Sequence, residues 1–411
     1  MLKVIKNIVL ISIGLVIAGY LALVCVYLLP TAPIQQNVQE ASNIMQMEGS
    51  HPELIYGHQD TMLDNLTDSI MLGTARYEKT GNVFAEALLS NRVTVNGMID
   101  PEVLAAEFQG EELEETTSSY GRYWHGYLIY LKPLLMLFNY GQIRYMIALV
   151  QLLLFAAVII LMIKKKKEKH VIPFAAAYLF LNPAALSLSL QYFPVSVITM
   201  IQFVLILMYE DKYKENCMRW IYHFLIVGAL TSYFDLLTYP ILTLGMPLIY
   251  LLVENGKSIK QDIQLFVGNC VAWGFGYAVM WGSKWILGSL LTSEHMIADA
   301  LGSVLLRVGA VENEAKVSAL EVIMKNIGAN KMCLLISIVL FIGMFGYGLC
   351  KKKDVCLKRI NISVLLCAFL PLMWYTVVSN HSFIHYWFTY RILAISIYAI
   401  LLTNINIFEK E

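Results

Sequence analysis

The sequence predicts an all-α polytopic membrane protein of about ten transmembrane helices, with a largely helical outer insert directly behind the first span. Three observations lead there. Hydrophobic residues make up 58% of the 411-residue chain. The apolar stretches approach the roughly 20 residues that a helix needs to cross a ~30 Å hydrocarbon core. One such stretch stands alone at the start, and roughly ninety polar residues follow before the next.

Taken in order, the predicted spans are 8–29, 141–163, 172–190, 193–209, 219–233, 236–253, 265–287, 332–350, 361–378 and 391–406. They divide the chain into an anchor span (1–29), an extracytoplasmic insert (30–140), a transmembrane bundle (141–287), an extracytoplasmic helical loop (288–330) and a C-terminal bundle (331–411). Lys3 and Lys6 precede a first apolar run longer than the 7–15 residues of a signal core. No small-residue cleavage site closely follows Pro30, so an uncleaved anchor is expected. With these spans the later basic clusters all fall on the same side as Lys3 and Lys6. They are Lys164–Lys167 with Lys169; Lys212, Lys214 and Arg219; Lys257 and Lys260; and Lys351–Lys353 with Lys358 and Arg359. Lys and Arg in short loops stay cytoplasmic, which places the N-terminus inside and the insert outside the membrane.

Between Thr31 and Tyr123 there are fifteen Asp or Glu and four Lys or Arg. An acidic outer domain argues against nucleic acid or anionic headgroups as its main partner. The seven cysteines lie in spans or inner loops, with no metal-ligand spacing such as C-x-x-C, and no cofactor is indicated. Within the insert, Asp60, Asp64 and Asp68 recur at i, i+4, i+8 and would form one acidic stripe on a helix, as catalytic carboxylates or as a solvated, capping face. The Glu111–Glu115 cluster reads as surface. Arg122, His125 and Lys132 follow among dense Tyr and Trp, which suits both an interfacial helix and a sugar platform.

The loop 288–330 shows helical spacing at Met296, Ile297, Ala300, Leu301, Val304 and Leu305, and again over Ala315–Ile327. From Trp220 to Val253 there are 34 residues, about 51 Å of helix at ~1.5 Å per residue, against about 60 Å for two crossings. The apex Tyr233–Leu236 should therefore form the floor of an outward-facing depression. It carries Asp235, either a functional carboxylate or a helix cap before Pro240. Lys284 lies just inside the outer end of its span, where it can snorkel or bind phosphate. His381, His385 and Arg391 stand in Asn-His-Ser-Phe-Ile-His-Tyr-Trp-Phe-Thr-Tyr-Arg. The two histidines share a helical face but lack a third ligand, so no metal is assigned; they suit hydrogen bonding to a polar substrate or an aromatic belt. Arg391 offers a fork for phosphate or carboxylate. Asp235, Lys284, His385 and Arg391 are expected to converge on the depression.

Group transfer on an outer face needs a donor already in the membrane. A lipid-linked sugar fits: a carboxylate takes the proton of an acceptor hydroxyl and cations hold the leaving phosphate. One span, a large outer loop with early acidic residues, and then many spans with short loops resembles the GT-C class of membrane glycosyltransferases. Arg-Tyr-Trp-His-Gly-Tyr-Leu, Tyr-Phe-Asp-Leu-Leu-Thr-Tyr-Pro and Met-Trp-Gly-Ser-Lys-Trp are similar to segments of bacterial membrane proteins of polysaccharide assembly. The resemblance implies a polyprenyl-phosphate sugar donor, a glycan or lipid-linked acceptor, and a catalytic acid in the first outer loop, here Asp60, Asp64 or Asp68. The chain departs from that class between Pro30 and Gln59, where only isolated Glu40, Glu48 and Glu53 occur. A polysaccharide polymerase or ligase is the alternative, although its largest outer loop would fall late in the chain. A transporter or flippase would show mid-membrane charges and an inverted repeat, and neither is evident.

Overall fold

The computed structural model describes residues 2–408 apart from 80, 111–112, 217, 257, 311–316, 352–354 and 357–359. Cys217, Lys257, Lys352, Lys353, Lys358, Arg359, the Glu111–Glu112 part of the acidic cluster and Ala315 therefore lie outside the described residues, as does the side chain of Lys214.

The chain opens with α1 (Leu2–Tyr27). The insert follows as α2 (Ala32–Glu48), α3 (Asn65–Arg76), α4 (Val83–Leu89), β1 (Arg92–Val95), α5 (Asp100–Gln109), β2 (Glu115–Ser118) and α6 (Leu128–Leu135). The two strands pair antiparallel, with Arg92 opposite Ser118 and Val95 opposite Glu115. The bundle continues through α7 (Tyr140–Lys164), α8 (Val171–Phe180), α9 (Pro183–Leu188), α10 (Phe193–Glu215), α11 (Met218–Phe234), α12 (Leu242–Asn255) and α13 (Ile259–Leu291). Then come α14 (Met296–Arg307), α15 (Ala319–Ala329), α16 (Lys331–Cys350), α17 (Ile362–Val377), α18 (Ser379–Ile384), α19 (Tyr386–Thr389) and α20 (Ala394–Asn406).

The expectation of about ten transmembrane helices is corrected. Among the described residues, six helices are long and apolar enough to cross a membrane: α1, α7, the Phe193–Tyr213 part of α10, α13, α16 and the Tyr386–Asn406 stretch. The other four predicted spans fall short for local reasons. Segment 172–190 breaks at Asn182, whose φ is 59°, followed by Pro183, which has no N–H to continue a helix. Segments 219–233 and 236–253 yield helices of 17 and 14 residues because the turn 235–241 consumes the chain between them. Segment 361–378 gives 16 residues with Pro371 inside.

Hydropathy overcounted because it does not distinguish lipid from protein interior. Every residue of α12 from Leu242 to Leu252 is buried within the fold. Such a helix is apolar all round because protein surrounds it. By contrast only 11% of the α16 window and 17% of the α1 window are buried, so these helices need the bilayer to cover them.

The tightest seam joins α11 and α13 through two glycines. A Cβ on Gly228 would stand 2.0 Å from the Trp273 carbonyl oxygen, and one on Gly276 would stand 2.0 Å from that of Leu225. Small residues let the backbones approach, the usual means of packing helices where lipid removes the hydrophobic drive.

The basic loops gather at one end of the bundle. Asn7 donates to the Tyr222 hydroxyl (3.1 Å), Lys167 pairs with Glu210 (3.1 Å) and with Glu254, and Asn361 donates to Asp262 (3.0 Å). The opposite end holds the insert, the turns 182–192 and 235–241, α14, α15 and α18. There the Gly126 amide donates to the Tyr233 carbonyl (2.9 Å), Arg307 to the Tyr123 hydroxyl (2.8 Å) and Asn326 to the Ser382 carbonyl (2.9 Å). Two helices beneath this end are short: α8 and α12 have 10 and 14 residues. At ~1.5 Å per residue they rise about 15–21 Å, less than the ~30 Å of a hydrocarbon core. The insert packs over this end.

Candidate functional site

The three insert carboxylates do not share one helical face, because α3 begins only at Asn65. Asp60 sits in a short 3-10 turn, Gln59–Thr61, and Asp64 is the N-cap of α3, its side chain accepting the Thr67 amide (2.9 Å). Only Asp68 lies within the helix, on its buried face.

Their surroundings give them different capacities. Asp68 is fully buried and accepts from the Tyr140 hydroxyl (2.7 Å), the Ser189 hydroxyl (3.2 Å) and the amides of Leu190 (2.8 Å) and Gln191 (3.2 Å). Four donors occupy the lone pairs of its two oxygens, so the group ties the insert to the bundle. Burial still pushes its carboxyl up to about 6, since the hydrogen bonds only partly offset lost hydration. Asp64 accepts from Gln191 Nε2 (2.5 Å) and faces His51, whose Nε2 lies 3.7 Å away. Burial raises this carboxyl too, opposed by the Thr67 amide and then by the charge of His51. Asp60 accepts from Asn182 Nδ2 (3.1 Å) and has His58 Nδ1 at 3.9 Å. His51 and His58 are the partners that reach water, with side chains 34% and 44% exposed.

The loop carrying these pairs lies over the segment that leads into α20. The His51 ring meets Trp387 edge to face (5.4 Å), and the Tyr390 hydroxyl donates to the Asp60 carbonyl (3.1 Å). Beside His51, two buried polar atoms have no hydrogen-bond partner: His385 Nδ1 and Trp387 Nε1. One ring can accept or donate and the other donates, so a hydroxylated ligand could satisfy both. Lys325 adds positive charge at the same place, its amine 3.8 Å from the Phe383 ring centre and 4.3 Å from that of Tyr386.

The remaining sequence candidates are engaged with other groups of the protein. Asp235 accepts the amide and hydroxyl of Thr238 (3.0 and 2.5 Å) and so caps the turn that follows. His381 is bonded to the Leu237 carbonyl (2.8 Å) and stands beside His385, ring centres 4.7 Å apart. Thus the structure does bring the histidine pair to the Asp235 turn. Arg391 and Lys284 go to separate places. Arg391 is buried between Tyr192 and Tyr390 and donates to the carbonyls of Leu181 (2.8 Å), Trp387 (3.0 Å) and Asp60 (3.5 Å), so it lies against the Asp60 turn. The Lys284 amine, also fully buried, donates to the Ala87 carbonyl (3.1 Å) and lies over Trp124. Both cations satisfy backbone carbonyls where helices end, which accounts for charges at bilayer depth.

Arg122 is paired with Asp299 of α14 (3.1 Å). His125 is buried at φ 55°, bonded to the Tyr120 carbonyl and sharing a hydrogen bond with Tyr127 (both 2.8 Å). Burial, reinforced by the nearby Lys284 charge, depresses its imidazolium to about 3, so it is neutral at physiological pH. Lys132 donates to the Ala75 carbonyl (2.7 Å). These residues brace the insert. Sequence reasoning passed over His51, His58, Trp387 and Lys325. The available signal was that His51 and His58 both lie just ahead of the Asp60–Asp68 stretch, but nothing in their spacing reveals which carboxylate each will meet.

The long apolar helices and the packed polar end define the class, a multi-pass helical membrane protein. Comparison with known proteins takes it no further: no family model matches the chain, and no curated protein or solved structure matches it.

Proposed function

We propose that this protein is a membrane glycosyltransferase that moves a sugar from a polyprenyl-phosphate donor to a cell-surface glycan or lipid-linked acceptor. In this reading the basic end faces the cytoplasm of a bacterial cell and the insert faces outward. The observation that carries the proposal is the pairing of insert carboxylates with water-accessible histidines, Asp64 with His51 and Asp60 with His58, at the end of the bundle opposite the basic loops.

His51 takes the proton of the acceptor hydroxyl as its oxygen bonds to the sugar's anomeric carbon and the bond to the donor phosphate breaks. Asp64 orients the imidazole and stabilises the imidazolium that forms. Trp387 Nε1 and His385 Nδ1 bond the sugar hydroxyls, and Lys325 faces the departing phosphate.

The test is the set of lipid-linked glycans that build up in a strain lacking the protein, read by mass spectrometry. A single polyprenyl-phosphate sugar is expected; completed repeat units would favour a polymerase instead. In complementation, Asp64→Asn keeps the helix cap, because Asn caps as well as Asp, and should insert normally while losing about 10²–10⁴ in transfer rate. Full activity of both Asp64→Asn and His51→Ala would remove this site.

A further inference from the structure

A second feature lies at the other end of the molecule and is independent of the transferase reading. Between α10 and α11 runs a groove of about 600 Å³, lined by Ile198, Ile201 and Leu205 on one side and Ile226, Leu230 and Phe234 on the other. From Ile198 to Lys212 it follows α10 for about 21 Å at ~1.5 Å per residue, much of one leaflet and more. Its outer end is closed in by Phe234, and its end among the basic loops carries Lys212 and Arg219.

Three observations say what fills it. The first is charge: Lys212 and Arg219 are both exposed at the groove mouth, and the Arg219 guanidinium donates to the Lys212 carbonyl, which joins the two residues across the α10–α11 turn. The second is a polar strip on the groove wall just inside that mouth. Tyr213 shares a hydrogen bond with His223 Nδ1 (2.9 Å), His223 Nε2 lies 3.3 Å from Gln202 Oε1, and Gln202 donates to the Thr243 carbonyl (3.0 Å). The third is a break in α10 at Tyr209, whose φ of −116° and ψ of 17° leave the helix just above the mouth; the Lys212 amine lies over the Tyr209 ring (5.1 Å). The groove thus reads, from mouth to floor, as cations, then hydroxyl and imidazole groups, then aliphatic side chains. That is the order of phosphate, glycerol ester and acyl chain in a phospholipid. Basic pockets between membrane helices beside the positively charged loops are where anionic headgroups bind.

We propose that the α10–α11 groove is a binding site for one anionic phospholipid of the leaflet at the basic end, with its phosphate between Lys212 and Arg219 and one acyl chain along Ile201, Leu205, Ile226 and Leu230. The bound lipid wedges the kinked end of α10 against α11 and so fixes the basic end of the bundle.

The test is native mass spectrometry of the detergent-purified full-length protein titrated with dioleoyl phosphatidylglycerol, dioleoyl phosphatidylcholine or undecaprenyl phosphate. One phosphatidylglycerol should bind in preference to phosphatidylcholine. Replacing both cations, Lys212→Ala with Arg219→Ala, should lower that preference about thirtyfold, the worth of two surface cations against an anionic lipid. Ile226→Trp, which fills the groove and leaves the cations, should abolish the one-to-one adduct while the melting temperature in detergent stays near that of the wild type. Equal retention of the two phospholipids, stronger retention of undecaprenyl phosphate than of phosphatidylglycerol, or an adduct that survives Ile226→Trp would each overturn the proposal.

Discussion

Replacing Asp68 with alanine separates a structural carboxylate from a catalytic one. The side chain accepts two hydroxyls and two backbone amides, all buried. Alanine orphans those four donors at about 1–2 kcal/mol each, or about 4–8 kcal/mol in all. Removing the carboxylate also relieves a strain. Burial has pushed its pKa from 3.8 up to about 6, so holding it ionised at pH 7 already costs about 3 kcal/mol. The difference leaves Asp68→Ala destabilised by about 3 kcal/mol, concentrated where the insert meets the 189–191 turn. Hydrogen exchange on the detergent-solubilised protein should show the Leu190 and Gln191 amides losing about a hundredfold in protection. Asp68→Asn sheds the charge, keeps one accepting oxygen and lets the hydroxyl beside its Nδ2 turn to accept, so only one of the two backbone amides loses its acceptor and the loss should be smaller. An alanine variant with unchanged protection at 190 and 191 but no transfer activity would refute the structural role and return Asp68 to the chemistry.

The same carboxyl carries a pH signature. Its folded pKa of about 6 lies above the unfolded value of 3.8, so its contribution is fully present below 3.8 and is lost as pH rises through about 6. Relative to Asp68→Asn, the wild type should gain stability as pH falls from 7 to 4, and thermal melts of the pair at several pH values would show a constant gap if this is wrong. Lys284→Met should insert and melt within about 1 kcal/mol of the wild type, because a buried amine held by one carbonyl is replaceable by an apolar side chain of similar length; loss of transfer with normal stability would show that the lysine acts on substrate. A cysteine at the exposed position of Thr116 should react with a membrane-impermeant thiol reagent in intact cells and one at Glu168 should not. The reverse labelling would invert the orientation proposed here.

Much of the architecture was legible because it rests on local chemistry. The lone first helix, the helical spacing at Met296–Leu305 and the basic clusters each follow from nearest neighbours in the chain, and the structure does gather the described basic loops at one end. The number of crossings was not legible in the same way. A window of apolar residues reports that water is excluded, and α12 shows that protein excludes it as completely as lipid does. The site was only half legible for a related reason. Asp60 and Asp64 could be named from their residue type, but Asp68 looks identical in sequence and differs only because Tyr140, Ser189 and the 190–191 amides surround it.

By itself, then, the sequence determined where apolar chain begins and ends, which end of the bundle is basic and which insert is acidic, since composition and charge are additive along a chain. The tertiary structure decided which apolar segments face lipid, that Lys284 and Arg391 spend their charge on backbone carbonyls, and that His51 meets Asp64 while His58 meets Asp60. Those outcomes depend on which distant residues come within about 4 Å of each other, and hydrogen bonding and desolvation act at that range whatever the separation along the chain.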